Sequence, residues 1–417
     1  MSMASISCGL GPNGSDIEAR RRRGLFLVGA AVALALFALS IQVGLNANFL
    51  VEEIGVTGTR MGLVEVVRES CGIVAFGVLA LLAGLTEPLV GAAMLVLMAV
   101  GMGSYAFVPS YGWVLIASVI WSQGFHVWMP LPSSMTLALA EPERTGYRLG
   151  QMGAAGSIGF GAGILVALGL TMGGVPMRPL YFVAAAAAIL AAVVCLAIPR
   201  NLKTPGPRLV FRRRYGLYYV LCLLDGWRRQ IFICFVGLLL VKDHGTPIKG
   251  MLLLGAVVQA LNCVVSPRVG RLIDRIGERR SLVIYFVCVT AAFFGYAFIG
   301  HVWLLYALVV VDNLCWSLAT ALTTYVNRIT PPSERTPTLS MGVAMNHVGA
   351  VTMPLFAGLL WDSVSHRAPF FVGAVAAAAS IFVALRVPRH GALPGAAEER
   401  ATTDRTESTD QAKRRPG

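Results

Sequence analysis

Runs of about twenty apolar residues, the length at which an α-helix crosses the hydrocarbon core of a bilayer, recur twelve times along this chain. They fall near residues 24–50, 61–85, 88–108, 112–138, 149–173, 179–198, 216–241, 248–267, 281–300, 303–326, 339–361 and 368–387, parted by short polar punctuation. Composition points the same way, with 56% of residues apolar and only 13% charged, far from a soluble globular domain. The chain reads as an all-α integral membrane protein with twelve transmembrane helices in a lipid bilayer.

Basic residues set the orientation, because Lys and Arg concentrate in short cytoplasmic loops. With the N-terminus inside, 26 of the 34 basic residues fall in cytoplasmic segments and 5 in outer ones, namely Arg60, Arg178, Lys242, Lys249 and Arg367. Both termini are therefore expected in the cytoplasm, in a multi-pass protein of the cytoplasmic (inner) membrane. The net charge of +13 is mostly this signal plus a basic inner surface facing anionic lipid, and requires no nucleic-acid partner. Arg20 to Arg23 before an apolar run imitate a secretory signal. The run is too long and lacks a small-residue cleavage site, so it reads as a retained first helix. Seven of the eight cysteines lie in predicted spans and no CxxC occurs, which makes them packing residues and not disulfide partners or metal ligands.

After the fourth span Pro142 precedes Glu143-Arg144-Thr145, with Leu149 and Met152-Gly153 beyond. After the tenth, Pro331-Pro332 precede Glu334-Arg335-Thr336, with Leu339 and Met341-Gly342 beyond. Recurrence six spans apart is the mark of a parallel duplication. The expected organisation is a cytoplasmic segment 1–23, a six-helix bundle 24–198, a cytoplasmic linker 199–215, a second six-helix bundle 216–387 and a disordered cytoplasmic tail 388–417.

Between the eighth and ninth spans stands Gly270-Arg-Leu-Ile-Asp274-Arg275-Ile-Gly277-Glu-Arg279-Arg280. This resembles the cytoplasmic loop signature of the major facilitator superfamily. Its glycines allow a tight helix-to-helix turn, and its Asp and arginines form a charge cluster able to cap helix ends and lock the two halves together. The resemblance implies two pseudo-symmetric six-helix bundles, with Gly270, Asp274, Arg275, Gly277, Arg279 and Arg280 as a gating loop. Three departures stand out. The turn between the second and third spans, Gly84-Leu-Thr-Glu-Pro88, lacks the Asp-Arg pair. In the fourth span Gln123-Gly124 is present, but Ile120 takes the Arg position of many proton-coupled members. The fifth span has Gly150, Gly153, Gly156, Gly159, Gly161 and Gly163 without the proline of antiporter members, and close helix packing accounts for such glycines.

Charges lie inside two spans. Only about a dozen residues separate Arg229 from Lys242, roughly 18 Å of helix against a core of about 30 Å. The seventh helix must therefore start upstream, which puts Asp225, Arg228 and Arg229 near the midplane. An exposed charge there costs at least about 2.5–3.5 kcal/mol, so these side chains should face protein or a water-filled cavity. Asp225 is three and four residues from the two arginines and shares a helix face with them. The second span repeats the arrangement with Glu65, Arg68 and Glu69. Polar residues accompany them: Gln123 and His126 in the fourth span, Gln259 and Asn262 in the eighth, Asp312 and Asn313 in the tenth, Asn346 and His347 in the eleventh. The resemblance implies that these helices line one central vestibule.

On that reading Arg68, Gln123, His126, Arg228, Arg229, Gln259, Asn262, Asn313 and Asn346 are candidates for substrate binding, the arginines presenting planar forks to a carboxylate or phosphate. Glu65, Glu69, Asp225, Asp312 and His347 are candidates for the coupling proton. The alternative is internal pairing that only holds helices together. Pro130, Pro132 and Pro354 mark expected bends. A phosphate-cradling GxxxxGK[ST] loop is absent, as are HExxH and GxSxG, which argues against a primary pump and an intramembrane enzyme. The sequence thus points to a monomeric secondary active transporter without cofactor or metal. It would move a small organic anion or zwitterion with a proton or other coupling ion, by alternating access. A multidrug or amphiphile efflux transporter and a transporter-like receptor without transport are the competing readings.

Overall fold

The computed structural model describes residues 14–82, 84–141, 144–199 and 211–389. Pro142 and Glu143 of the first repeat, most of the expected linker, the first thirteen residues and the tail from residue 390 lie outside the described residues. The described chain is helical nearly throughout: α1 Gly14–Asn48, α2 Gly58–Leu81, α3 Glu87–Ser104, α4 Tyr111–Trp128, α5 Leu131–Leu139, α6 Thr145–Met172, α7 Met177–Leu196, α8 Gly216–Ile231, α9 Ile248–Ile276, α10 Glu278–Phe298, α11 Val302–Trp316, α12 Thr320–Ile329, α13 Pro332–Ser363 and α14 Ala368–Ala384.

Two adjacent pairs of these helices form single spans. The ladder between α4 and α5 is interrupted at Met129–Pro130, where a proline cannot donate. Between α11 and α12 it tightens into a 3-10 turn at Ser317–Ala319. The described helices then make twelve spans, with the fourth of each six broken. Nine are long and apolar enough on length and composition alone to cross a membrane. The other three have clear reasons for falling short. α2 carries Arg60, Glu65, Arg68 and Glu69, α8 carries Asp225, Arg228 and Arg229 and runs on through π-helical turns at Phe232–Val236 and Leu239–Asp243, and α14 has 17 residues.

The chain divides into two compact units. One lies within Met1–Ile54, Val67–Pro207 and Pro247–Ala256, the other within Gly55–Val66, Arg208–Thr246 and Val257–Gly417. In the first unit α1 packs along α6 and α7, and α3 along α4 and α7. The approach of α1 to α6 is set by glycine: a Cβ on Gly159 would sit 1.9 Å from the Ala33 carbonyl oxygen. In the second unit α8 packs on α13 and α14, and α10 on α14. The cores hold alanines such as Ala184, Ala188, Ala374 and Ala377, with aromatic clusters at Phe49, Tyr105 and Tyr181 and at Phe293, Tyr296 and Phe370. Large side chains such as Phe26, Ile158, Val375 and Phe382 are turned outward, as lipid-facing residues should be.

The gating signature is mostly helix. α9 continues to Ile276, well beyond the predicted end at 267, because its last turns are polar and hydropathy does not register them. Only Gly277 interrupts the path to α10, at φ 79° and ψ 163°, a conformation suited to glycine. Asp274, Arg275 and Arg280 are exposed, Arg279 half-buried and Gly270 partly covered. The buried charge is Glu278, whose carboxylate meets Arg328 Nη1 at 2.9 Å. Glu87 occupies the corresponding place in the first unit, at the start of α3, by the same offset that relates Glu143 to Glu334. It is 1% exposed and accepts a hydrogen bond from Ser134 Oγ at 2.5 Å. The first half thus keeps the buried acid, tying the third helix to the end of the fourth span, without the Asp-Arg pair.

Candidate substrate and proton sites

α8 places its three charges by helical rotation, and they part company. Arg228 is 2% exposed and closed in by its own unit. Its Nη2 donates to Asp225 Oδ1 at 3.2 Å, and its Nη1 lies 3.5 Å from Asp312 Oδ1 on α11. Tyr285 of α10 accepts from Arg228 and donates to Asp225 Oδ1 at 2.7 Å. Tyr296, three turns further along α10, donates to Asp312 Oδ2 at 3.3 Å. Two carboxylates, one guanidinium and two phenols thus form a buried cluster. With both acids ionised it carries an uncompensated negative charge, which a low-dielectric interior penalises heavily. One proton, on either carboxylate, would make it neutral.

Arg229 turns to another face. It is half-buried, with its guanidinium carbon 4.1 Å from the centroid of the Trp316 ring at the end of α11. This is a cation–π contact between a guanidinium and an indole. Around α8 the unit is tightly built. A Cβ on Gly226 would lie 2.5 Å from the Asn346 carbonyl oxygen, Asn346 Nδ2 donates to the Cys222 carbonyl at 3.3 Å, and Trp227 Nε1 donates to Thr352 Oγ1 at 3.0 Å. Asn313 spends its amide on the Val309 carbonyl of its own helix at 2.9 Å. Glu65, 1% exposed, accepts from Gln230 Nε2 at 3.1 Å. Gln259, Asn262 and His347 are half-buried, and Asn262 Oδ1 is buried without a hydrogen-bond partner.

The first unit carries a second arginine on an indole: the guanidinium carbon of Arg68 lies 4.8 Å from the Trp121 ring centroid. Ser122 Oγ donates to the Arg68 carbonyl at 2.8 Å. His126 Nδ1 lies 2.9 Å from the Ser122 carbonyl and 3.1 Å from its Oγ. A carbonyl only accepts, so Nδ1 carries a hydrogen. Glu69 and Gln123 are half-buried nearby in sequence, and Gln123 Nε2 is buried without a partner.

Sequence reasoning missed Tyr285, Tyr296, Trp316, Ser122 and Gln230, because tyrosine, tryptophan and serine are ordinary in apolar helices. It also passed over Gln42 of α1, which is 1% exposed with neither amide atom hydrogen-bonded. A glutamine in the first span, close to Ser40, Asn46 and Asn48, was the available signal.

The family model described as Major Facilitator Superfamily matches residues 24–311 and 218–416. The chain belongs to that superfamily. Solved structures agree on the fold. The nucleoside transporter NupG superposes with a TM-score of 0.71 at 14% identity, over 87% of this chain and 98% of that one. A bacterial homologue of the human lysosomal transporter Spinster, inward-facing and occupied, gives 0.69 at 14% identity over 88% and 98%. The human organic anion transporter MFSD10 (TETRAN) gives 0.59 at 14% identity over 87% and 99%. No curated protein matches. The chain is thus a multi-pass membrane transporter of small solutes, built on the expected all-α fold.

Proposed function

We propose that the protein is a proton-coupled secondary active transporter that moves a small organic anion or zwitterion across the cytoplasmic membrane by alternating access, with both termini in the cytoplasm and bundles at 24–198 and 216–387. The observation that carries this reading is the pairing on α8 of a closed two-acid, one-guanidinium cluster with an adjacent arginine stacked on Trp316. Arg229, with Arg68 in the first unit, is assigned to the anion. Asp312 and Asp225 hold the proton, and Arg228 holds them together. Tyr285 and Tyr296 supply hydrogen bonds that steady whichever carboxylate is charged.

Coupling follows from electrostatics. With its proton bound the cluster is neutral and takes nothing from the pull of Arg229, next to it in sequence, on an anion. Once the proton leaves, a negative charge beside Arg229 offsets that attraction in a medium where Coulomb forces are strong. Proton and anion therefore favour each other's binding, and linkage makes the effect reciprocal. The test is uptake of labelled organic anions, zwitterions and lipophilic cations into proteoliposomes under an imposed pH gradient. Gradient-dependent flux of an anion or zwitterion supports the reading; flux confined to lipophilic cations overturns it.

A further inference from the structure

Where α2 begins and α13 ends, the second unit carries a group of contacts that the proton and anion sites leave unused. Asp362, in the last turn of α13, accepts hydrogen bonds from the backbone N–H of Gly58 at 2.9 Å and Thr59 at 2.8 Å, the first two residues of α2. These are unsatisfied donors of a helix N-terminus, where both the N–H groups and the macrodipole favour a carboxylate. The helices touch closely here: a Cβ on Gly62 would lie 2.2 Å from the Pro354 carbonyl oxygen, and one on Gly358 2.4 Å from that of Gly58. Lys242 Nζ adds a hydrogen bond to the Val56 carbonyl at 3.0 Å. Trp361, 1% exposed, lies directly on Gly58.

The indole of Trp361 is stacked on the imidazole of His366, with ring centroids 4.4 Å apart and planes 14° apart. His366 Nδ1 lies 2.8 Å from Asp243 Oδ2, at the end of the π-helical turn that follows α8. Trp361 is sealed, but the His366 side chain is 49% exposed. A cavity of about 490 Å³ reaches it, and its titratable lining is Asp243 and His244 after α8, Tyr296 of α10, and His366 and Arg367 before α14. A proton in the adjoining solvent thus has direct access to a ring that backs the tryptophan covering the start of α2.

We infer that His366 is a pH-sensitive clasp that fastens the first turn of α2 to the end of α13. Protonated, its imidazolium makes a charge-assisted pair with Asp243 and a cation–π contact with Trp361, both of which press Trp361 onto Gly58 and keep Asp362 on the helix terminus. Arg367 and His244 line the same cavity, and Asp243 is the acid that faces the ring. Without that proton the charge is lost, and the first turn of α2 is held by Asp362 and close packing alone. Acid tightens the clasp and alkali loosens it. Which compartment it senses rests on the orientation proposed above, which makes this the outer face.

The test is backbone hydrogen exchange of the segment containing Gly58 and Thr59 in substrate-free full-length protein in lipid nanodiscs, corrected for intrinsic exchange rates, at pH 5.5 and 7.5. In the wild type, protection should be about tenfold greater at pH 5.5. His366→Gln and the stacking-competent His366→Phe should both make it independent of pH. Asp362→Asn should lower protection at both pH values. Equal protection of the wild type at the two pH values, the wild-type dependence persisting in His366→Gln, or unchanged exchange in Asp362→Asn would each overturn the clasp. The readout needs no transport, so failure of the transport reading and failure of the clasp are told apart.

Discussion

Arg228 and Arg229 are chain neighbours with different employment, because successive residues of an α-helix point about 100° apart. Sequence placed both near the midplane, and its spacing rule allowed Asp225 to pair with either. Only the positions of Asp312 and Tyr285 decide that Arg228 is the one enclosed. Substituting Arg228 by Ala leaves two buried carboxylates without their cation, so it should destabilise the protein by about 3–5 kcal/mol, read as a lowered thermal midpoint in detergent. Arg229→Ala should leave that midpoint near the wild-type value and instead weaken binding of the transported anion by roughly tenfold to a hundredfold, the loss of one or two charge-assisted hydrogen bonds. Arg229→Lys should recover only part of it, because an ammonium keeps the charge but not the planar fork. Unaltered anion binding in Arg229→Ala would remove Arg229 from the site. Tyr285 shows why the rest was illegible: nothing in its surrounding sequence distinguishes a phenol that joins an ion cluster from one that merely packs.

At the scale of elements, breaks and ends were harder to read than spans. Prolines flagged the interruption between α4 and α5, but the 3-10 turn joining α11 to α12 has no proline and no sequence signature. The end of α9 was set too early because an apolar window stops where a helix leaves the bilayer, not where it stops being a helix. Glycines of α6 were legible only as a set, and the structure separates Gly159, which admits the α1 backbone, from Gly150 and Gly153, whose Cβ positions are open. Gly159→Val should therefore lower stability by roughly 1–3 kcal/mol or more, while Gly150→Ala should be neutral on the same thermal assay. The turn into α6 is pinned by Arg148, which donates to both carboxylate oxygens of Glu141 at 3.1 and 3.2 Å. That hydrogen bonding, foremost, holds the Glu141 carboxyl down to about 2. A depressed carboxyl contributes stability above its unfolded value and loses it as pH falls through the folded one. The difference in thermal midpoint between wild type and Glu141→Gln should thus be constant from pH 7 to about pH 5 and shrink steadily towards pH 2. A difference that vanishes already at pH 5 would contradict the pairing.

For the whole molecule, periodicity of apolar runs, the repeated Glu-Arg-Thr and the loop around Asp274 were enough to reach the fold, since a bilayer leaves a chain few other solutions. Function was legible only as far as the class. The residues that would distinguish solutes are polar groups scattered over six spans, and their meaning depends on which of them meet. The proposed coupling rests on a proton carried by Asp225 or Asp312. It is tested most directly by proteoliposomes loaded with a pH-sensitive dye, in which proton entry is followed on adding the transported anion, for the wild type and for Asp312→Asn. The prediction is that the anion drives proton entry in the wild type, and that Asp312→Asn still exchanges labelled for unlabelled anion across the membrane while moving no protons. Proton entry in Asp312→Asn at the wild-type rate, or anion flux in the wild type unaccompanied by protons, would contradict it.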